Sequence, residues 1–521
     1  MLPRLSIAKG RGHSIRIHET FMARIVPNAS SKRLMFLGLC AILTSVAIAF
    51  AMVSSADSQS SFIETIAILI LLGSCVLALT SIREIRGNPS HPLSVLIITI
   101  TVHYGLAAVL LALSTQRADV PVQSLPTACL MVAASIPLLL AGFFMPIGQR
   151  LAYKAPVLCF PAESKRVSSL WVRALVLYGI GWVFRVFLLS QGVYHIQQEL
   201  SGYLVQYKSV LDDFKAFADF SFLAIVLLVF LKRAPRVLLM LVLSGEIAYG
   251  LAYGGASAIF GPFILVGFVY SFYCKRIKWW QVAVGIAVLL LVIAPLSYAY
   301  RAIYNSYLTH AGPSVDNVES AVSTTALDPV RAIQDNEENI ARRMSYVSSL
   351  LLVLDRVPRL YPFQRGDTFV PQLLSLPIPR ALWAGKPNLS TGREFAIDFF
   401  DDPNKSEVGS NAGIGMIAEF YYNFGFWGLI CLVPVGVVIR FVWERTKLYI
   451  AIEPCSAVRI PFLILLVAGL ETPLALYIGG LLRGPVTLYL YMILLYGTLP
   501  AVRRNVPNKA SVSSDVRVQQ N

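Results

Sequence analysis

Charged side chains are scarce in this chain. Asp, Glu, Lys and Arg make up 14% of its 521 residues, whereas an ordinary soluble protein carries roughly 25%. Hydrophobic residues supply 56%. This balance excludes a string of soluble domains and indicates an integral membrane protein built as one helical bundle.

Several chemical signatures are also missing. The seven cysteines avoid the long polar segment of residues 301–423 and form no CxxC pair, so no disulfide framework is expected there. The sequence has no Walker motif, no HExxH motif, no nucleophile elbow and no histidine cluster. We therefore expect no metal and no cofactor, and neither nucleotide-driven nor zinc chemistry.

Long apolar runs predict an all-α polytopic fold with about twelve membrane spans, most of them near the roughly 20 residues that cross the hydrocarbon core. The predicted spans are Leu34–Val53, Phe62–Ser81, Leu93–Leu113, Thr127–Ile147, Leu170–Ser190, Asp219–Leu231, Val237–Tyr253, Ser257–Cys274, Trp280–Tyr300, Phe424–Val442, Ile460–Gly479 and Pro485–Leu499. The sixth run is short and is expected to begin near Leu211. No internal repeat supports an inverted-repeat transporter.

The basic residues predict the orientation, because Lys and Arg accumulate in cytoplasmic segments. The short segments assigned to the outside hold only Arg117, Lys208, Lys215 and Arg483. Both termini are then cytoplasmic. The predicted organisation is a basic N-terminus (1–33), spans one to nine (34–300), a large periplasmic loop (301–423), spans ten to twelve (424–501) and a disordered tail (502–521).

The large loop carries 11 basic and 14 acidic residues, which nearly cancel, so it is not a nucleic-acid-binding face. Its apolar period predicts a helix from about Asp335 to Val357, which Pro358 stops. The proline-rich stretch Leu374–Pro387 is expected to lie extended at the membrane surface. From Gly413 the chain is predicted to re-enter a helix that continues into the tenth span.

Charges inside spans are the first candidates for function. Arg185 lies deep in the fifth span and Glu246 lies near the middle of the seventh. A charge at such depth costs on the order of 3 kcal/mol, so it faces a partner or a wet cavity. Arg185 can therefore bind a phosphate at the floor of a polar cavity, or form an ion pair with Glu246. His103 in the third span is interpreted as a satisfied buried histidine.

The loop supplies a second set of candidates. Arg342, Arg343, Arg380 and Lys386 offer cations, and several guanidinium forks together stabilise a diphosphate leaving group. The alternative is a solvated helix face. Glu419 directly precedes the tenth span, where its carboxylate can accept a proton from a sugar hydroxyl or balance a loop arginine.

Three features resemble the bacterial Wzy-type oligosaccharide repeat-unit polymerases, which make O-antigens and exopolysaccharides. One is the many-spanned bundle with a long outer loop towards the C-terminus. Another is the stretch Pro379-Arg380 … Trp383 … Lys386-Pro387. The last is Gly415 … Glu419 … Tyr422-Asn423-Phe424-Gly425 … Gly428, which leads into a span. The resemblance covers about residues 256–450.

The resemblance implies a metal-independent glycosyltransferase with a GT-C-like bundle in the inner membrane, acting at the periplasmic face. Its substrates would be undecaprenyl-diphosphate-linked oligosaccharides, and a chain-length regulator would be its partner beside the lipid bilayer. By analogy, Glu419 is a possible base, Arg380 a catalytic cation, and Arg342, Arg343 and Lys386 diphosphate contacts, with Arg185 as a further candidate contact.

Two other functions stay open. An O-antigen ligase has a similar topology and the same leaving group, but such ligases typically use a histidine in the large loop. Here that histidine would be His310, in a Ser-, Asn- and Gly-rich linker. A transporter or flippase of lipid-linked sugars would be expected to show repeats and short loops. A structural assembly partner is a further alternative.

Overall fold

The structure is a computed structural model that describes residues 60–82, 91–113, 121–159, 170–191, 204–253, 256–273, 346–375, 414–452, 474–499 and 501–503, with positions 278, 280–281, 284–285, 395 and 399. Its α-helices are α1 (Ser60–Ser81), α2 (Pro92–Ile100), α3 (Ala107–Leu113), α4 (Leu125–Phe144), α5 (Pro146–Lys154), α6 (Leu170–Ser190), α7 (Leu204–Phe230), α8 (Arg236–Tyr253), α9 (Ala256–Tyr273), α10 (Tyr346–Arg356), α11 (Val370–Ser375), α12 (Met416–Phe424), α13 (Leu432–Ile452) and α14 (Leu474–Tyr496). The described chain also contains two short strands, β1 (Val157–Cys159) and β2 (Ala501–Arg503).

Six segments of the described chain are long and apolar enough to cross a membrane. They are Pro92–Val109, Leu125–Phe144, Leu170–Ser190, Arg236–Tyr253, Met416–Leu448 and Tyr477–Tyr496. The helical, membrane-compatible class predicted from the sequence is therefore confirmed. The count of twelve spans and the GT-C-like arrangement stay predictions, and the first predicted span lies outside the described residues.

The hydropathy pattern predicted where several helices begin to within one residue. Helix α6 begins and ends at the predicted residues of the fifth span, and α8 and α9 each begin one residue before the prediction. The third span is one continuous helical stretch in which a π-helical turn, Thr101–Leu106, separates α2 from α3. His103 lies in this turn, with its ring 5.6 Å from the ring of Tyr346. Helix α7 starts at Leu204, well before the predicted Leu211.

The buried side chains form two hydrophobic cores. The first core joins α1 to α4 with α10, α12 and α13, and it includes Tyr477 of α14. The second core joins α6 to α9 with the later half of α14, from Leu488 to Tyr496. Helix α14 therefore contributes to both cores.

Glycines let helices approach closely at two contacts. A Cβ atom at Gly142 of α4 would overlap the carbonyl oxygen of Val433, and one at Gly436 of α13 would overlap the carbonyl oxygen of Leu139. Small residues at such crossings are the usual way for membrane helices to gain van der Waals contact. The α4–α13 contact therefore depends on two glycines that face each other's backbones.

Part of the predicted large loop packs inside the bundle. Every residue of α10 from Val347 to Val353 is buried, on all sides of the helix. A helix that is buried all round belongs to a core rather than to a solvated surface. Helix α10 packs against α3, α4, α12 and the π-helical turn. The predicted helix does end before Pro358, at Arg356.

The structure adds detail to three boundaries predicted near the C-terminus. The predicted continuation from the helix at Met416 into the tenth span is confirmed, since Met416–Leu448 is one candidate span, but Gly425 ends α12 and a 3-10 turn, Gly425–Cys431, precedes α13. Helix α14 runs unbroken through Arg483 and Pro485, so the predicted loop between spans eleven and twelve is absent. Residues 501–503 form β2, which pairs with β1, and residues 504–521 of the predicted disordered tail lie outside the described residues.

One end of the bundle collects basic side chains. Arg173 at the start of α6 donates from Nη1 to the carbonyl oxygen of Tyr496, 2.9 Å away, at the end of α14. Arg445 of α13 donates to the carbonyl oxygens of Ala152 and Ala155, at the end of α5. We call this region, with Arg150, Lys154, Arg173, Arg440, Arg445 and Lys447, the basic end.

His91 adds no charge there. Burial, and then the charges of Lys447 and Arg440, hold the pKa of its imidazole well below the ordinary value.

The glycine contact gives a testable prediction. Gly142→Ala and Gly436→Ala should each destabilise the protein, at the upper end of the roughly 1–3 kcal/mol that overpacking costs, because the new methyl group meets a backbone carbonyl. Gly179 on α6 is the matched control, since a Cβ there meets nothing within 4 Å. Gly179→Ala should leave the thermal midpoint of the detergent-solubilised protein unchanged or raise it. Equal midpoints for all three variants would contradict the prediction.

Candidate functional site

The short helix α12 carries two buried polar residues on one face. Glu419 and Asn423 are four residues apart, so their side chains lie one above the other, and both are fully buried. The helix ends because Gly425 adopts a φ of +60°, which residues with a Cβ rarely adopt. Its last turn therefore has a fixed position relative to the 3-10 turn that follows.

Asn423 fastens a separate segment of the chain to this helix. Its Nδ2 donates to Thr368 Oγ1 and to the carbonyl oxygen of Glu419, both at 2.7 Å. Its Oδ1 accepts from the Gly366 N–H at 2.8 Å. The Arg365 N–H also donates to the carbonyl oxygen of Asn423, at 3.0 Å. We call residues 364–368 the clamped turn.

The clamped turn has an unusual backbone. Arg365 and Gly366 have φ angles of +51° and +104°. A residue other than glycine in this region is uncommon and persists where its surroundings hold it. Here Asn423 and the α12 backbone supply those contacts, so the turn's shape depends on α12.

The Glu419 carboxylate links the turn to α14. Its Oε1 accepts from Thr368 Oγ1 at 3.3 Å, and its Oε2 accepts from the Leu474 N–H at 2.6 Å. Leu474 is the first residue of α14, so Glu419 satisfies one of the free N–H groups at that helix's start. The positive end of the helix dipole also favours a carboxylate there. Among the described residues, no Lys or Arg forms an ion pair with Glu419.

Two more buried polar side chains lie on α14 and on α11, the short helix that follows Thr368. Gln372 is on α11, which packs against α14, and Tyr477 lies one turn after Leu474. Within the described part of the chain, Gln372 Oε1 and the Tyr477 hydroxyl have no hydrogen-bond partner. An unsatisfied buried polar atom costs about 1–3 kcal/mol, so these two atoms can each form a hydrogen bond with a further polar group.

An exposed apolar rim surrounds this region. Trp427 is 79% exposed, and Phe426, Phe424 and Phe363 are also exposed. The Phe363 ring lies beside Gly425, and the Phe424 ring is 6.1 Å from that of Phe369. Aromatic side chains of this kind are typical of a membrane interface. A helix of 23 residues rises roughly 33 Å, so α14 separates the Glu419 region from the basic end by about a bilayer's hydrocarbon thickness.

A second polar cluster lies in the other core. Arg185 Nη1 is 2.8 Å from Glu246 Oε1, and Nη2 is 3.0 Å from Glu246 Oε2 and 2.7 Å from Asp219 Oδ1. The guanidinium carbon also lies 4.3 Å from the ring centre of Tyr249. Arg185 and Glu246 are buried, whereas the Asp219 side chain is 51% exposed. The three residues come from α6, α7 and α8, so the cluster joins three helices.

The structure separates the predicted site residues. Glu419 belongs to α12, beside the first core, whereas Arg185 is enclosed by the second core and forms the ion pair with Glu246 that the sequence offered as an alternative to phosphate binding. The other predicted contacts, Arg342, Arg343, Arg380 and Lys386, lie outside the described residues. Phosphate binding by any of them stays a prediction. The described residues contain no group of three or more His, Cys, Asp or Glu that could hold a metal ion.

Sequence reasoning gave no role to the residues that hold Glu419. Asn423 belongs to the stretch Gly415–Gly428 that resembles the polymerases, and its spacing of four from Glu419 could have predicted that the two side chains share a helix face. Thr368 and Gln372 gave no such signal, because each lies about 50 residues from Glu419 in sequence and no periodicity connects them.

Comparison with known proteins gives one result. The model of a family described as a domain of unknown function, DUF8712, matches residues 179–448, just over half of the chain. The matched region contains both the Arg185 cluster and the Glu419 region. No curated protein and no solved structure matches the chain.

The clamp gives the second prediction. Asn423→Ala removes the donors and acceptor that hold Gly366 and Thr368, so the clamped turn should open and Arg365 should become a faster site for trypsin. Limited proteolysis of the detergent-solubilised protein, read by mass spectrometry, measures this rate. Thr487→Ala is the control, because it removes a polar contact with Asp213 far from the turn. Unchanged cleavage at Arg365 in Asn423→Ala would contradict the clamp.

The Arg185 cluster gives the third prediction. Arg185→Met should destabilise the protein by about 3–5 kcal/mol, because it leaves the buried Glu246 carboxylate without its cation. Glu246→Gln should cost less, since Arg185 keeps Asp219 as a charged partner. Thermal midpoints of the two variants measure the difference. A larger loss for Glu246→Gln than for Arg185→Met would show that this account of the pair is wrong.

Proposed function

This chain belongs to the DUF8712 family, and we propose that it is a membrane glycosyltransferase that joins undecaprenyl-diphosphate-linked oligosaccharide repeat units into a polysaccharide. The reaction would take place at the end of the bundle opposite the basic end, which is the periplasmic face of a bacterial inner membrane if the basic end is cytoplasmic. The observation that carries the proposal is the Glu419 carboxylate, buried and held by Thr368 and Leu474.

Glu419 is suited to act as the general base. Each carboxylate oxygen has two lone pairs, and each accepts a single described hydrogen bond, so both keep a position for a substrate hydroxyl. In the proposed step the acceptor hydroxyl gives its proton to Glu419. The hydroxyl oxygen forms a bond to the anomeric carbon of the growing chain. The bond from that carbon to the carrier's diphosphate breaks, and its electron pair leaves on the diphosphate.

Thr368 and Asn423 would act as positioning residues. Thr368 Oγ1 donates to Glu419 and accepts from Asn423, so it fixes the rotation of the carboxylate. A general base must lie within hydrogen-bond reach of the proton it removes, and small displacements lower the rate strongly. The clamped turn therefore supports the proposal by giving the base a defined orientation. Gln372 Oε1 and the Tyr477 hydroxyl are further candidates to hold sugar hydroxyls.

The loop cations are within chain reach of this region. Arg343 precedes the first residue of α10 by three positions, and Arg380 follows the last residue of α11 by five. An extended chain spans at most about 3.6 Å per residue, so separations of five and three residues correspond to at most roughly 18 Å and roughly 11 Å of chain. Because α10 packs against α12 and α11 closely follows the clamped turn, these arginines are our candidates to contact a diphosphate near Glu419.

We assign the diphosphate to loop cations rather than to Arg185. Two carboxylates already neutralise the Arg185 guanidinium, which would have to lose strong charge-assisted bonds before it bound a phosphate. Within the proposal, Arg185 holds α6, α7 and α8 together.

The fourth prediction tests Glu419 against a purely structural role. Glu419→Gln keeps an oxygen that accepts from the Leu474 N–H but cannot take up a proton. In a strain that lacks the wild-type protein, this variant should leave single repeat units and lower polymer yield at least about 100-fold, since general bases contribute about 10²–10⁴-fold. Glycan length on a gel and protein level in the membrane are the two measurements. Full-length polymer from Glu419→Gln would show that Glu419 has only a structural role, as a cap of α14.

Asp355→Asn is the matched control. It also replaces a carboxylate by an amide, but in an exposed pair with Arg359 on the loop side of α10. It should leave polymer length and yield unchanged. The same gel distinguishes the alternatives when the protein is deleted altogether. Long polymer that stays on its lipid carrier would indicate a ligase. Loss of single units as well as polymer from the surface would indicate a flippase.

A further inference from the structure

Helix α5 presents an unusual exposed face at the basic end. It starts at Pro146, after Met145 breaks the end of α4 with a ψ of 135°. Gly148 and Ala152 are buried, and a Cβ at Gly148 would lie 2.6 Å from the carbonyl oxygen of Val437 on α13. On another side, Ile147 and Leu151 are each 51% exposed. The helix is thus anchored by one face and open on another.

Two cations lie directly beside the open apolar stripe. Ile147 and Leu151 are four residues apart, and Arg150 and Lys154 form an adjacent pair with the same spacing, both exposed. Each cation follows an apolar partner by three positions, which places the charged stripe about 60° around the helix from the apolar stripe. This arrangement is typical of a helix at a membrane surface, with apolar side chains towards the acyl chains and cations towards the headgroups.

The other cations nearby are already engaged. Arg440 and Lys447 lie 2.8 Å and 2.7 Å from Glu444, and Arg445 donates to backbone carbonyls at the end of α5. Within the described ranges, Arg150 and Lys154 pair with no carboxylate. These two cations are therefore available to an anion from outside the protein, and the anion must sit next to exposed hydrocarbon.

We propose that α5 binds the phosphate groups of anionic phospholipids in the leaflet at the basic end. Arg150 and Lys154 contact the headgroup phosphate, and Ile147 and Leu151 lie against the acyl chains. Because α5 packs on α13, a bound lipid also stabilises the contact between these helices. The proposal is independent of the chain's catalytic function.

The fifth prediction concerns lipid binding. Full-length protein in a mild non-ionic detergent is titrated with phosphatidylglycerol or phosphatidylcholine, and native mass spectrometry counts the bound lipids. Arg150→Gln with Lys154→Gln should weaken phosphatidylglycerol binding roughly 10- to 30-fold, as expected for two cations at an anionic surface. Phosphatidylcholine binding should stay unchanged. Ile147→Ser with Leu151→Ser should weaken the binding of both lipids.

The matched control is Lys232→Gln with Arg233→Gln. These two exposed cations lie between α7 and α8, and α7 returns to the basic end because Gly181 lies beside Ala218 while Phe184 stacks on Phe214. The control should change phosphatidylglycerol affinity less than twofold. If the Lys232/Arg233 variant lost as much phosphatidylglycerol affinity as the Arg150/Lys154 variant, the proposal would be overturned in favour of a diffuse positive field. Displacement of the lipid by millimolar inorganic phosphate would overturn it in favour of a free-phosphate site.

Discussion

A charged group inside a membrane bundle needs a partner within the protein, and this constraint determines both clusters of the structure. Around Glu419 the partners are neutral, a hydroxyl and a backbone N–H at the start of α14. Around Arg185 the partners are two carboxylates. The difference supports the proposed role of Glu419, because neutral partners leave a carboxylate free to exchange a proton, whereas an ion pair such as that of Arg185 mainly holds helices together.

The same constraint explains why α12 is short. A helix that continued beyond Phe424 would carry the carbonyl groups of Tyr422 and Asn423 into its own hydrogen-bond ladder. Because Gly425 ends the helix, these carbonyls accept instead from the N–H groups of Gln364 and Arg365. The end of α12 therefore recruits the clamped turn, and the turn brings Thr368 to Glu419. The end of α12 at Gly425 therefore also provides the carbonyl groups that hold the clamped turn beside Glu419.

The sequence predicted what depends on local apolar patterning. The runs around α4, α6, α8 and α9 were located because hydrophobicity over about 20 residues is a strong local signal. It did not predict that α10 is buried on every side, since an amphipathic stripe with Val347 and Leu351 looks the same beside solvent or beside other helices. Glu419 was found as a carboxylate before a span. Its partners were not, because Thr368 and Leu474 each lie more than 50 residues away in sequence.

Helix α14 contributes side chains to both hydrophobic cores. Its first residue binds the Glu419 carboxylate, Tyr477 packs in the first core, and Leu488 and Tyr496 pack in the second. A helix of 23 residues rises roughly 33 Å, so these contacts are spread along the whole of α14. At the far end of the helix, Arg173 donates to the carbonyl oxygen of Tyr496. Helix α14 therefore connects the Glu419 carboxylate to the basic end and packs in each of the two cores between them.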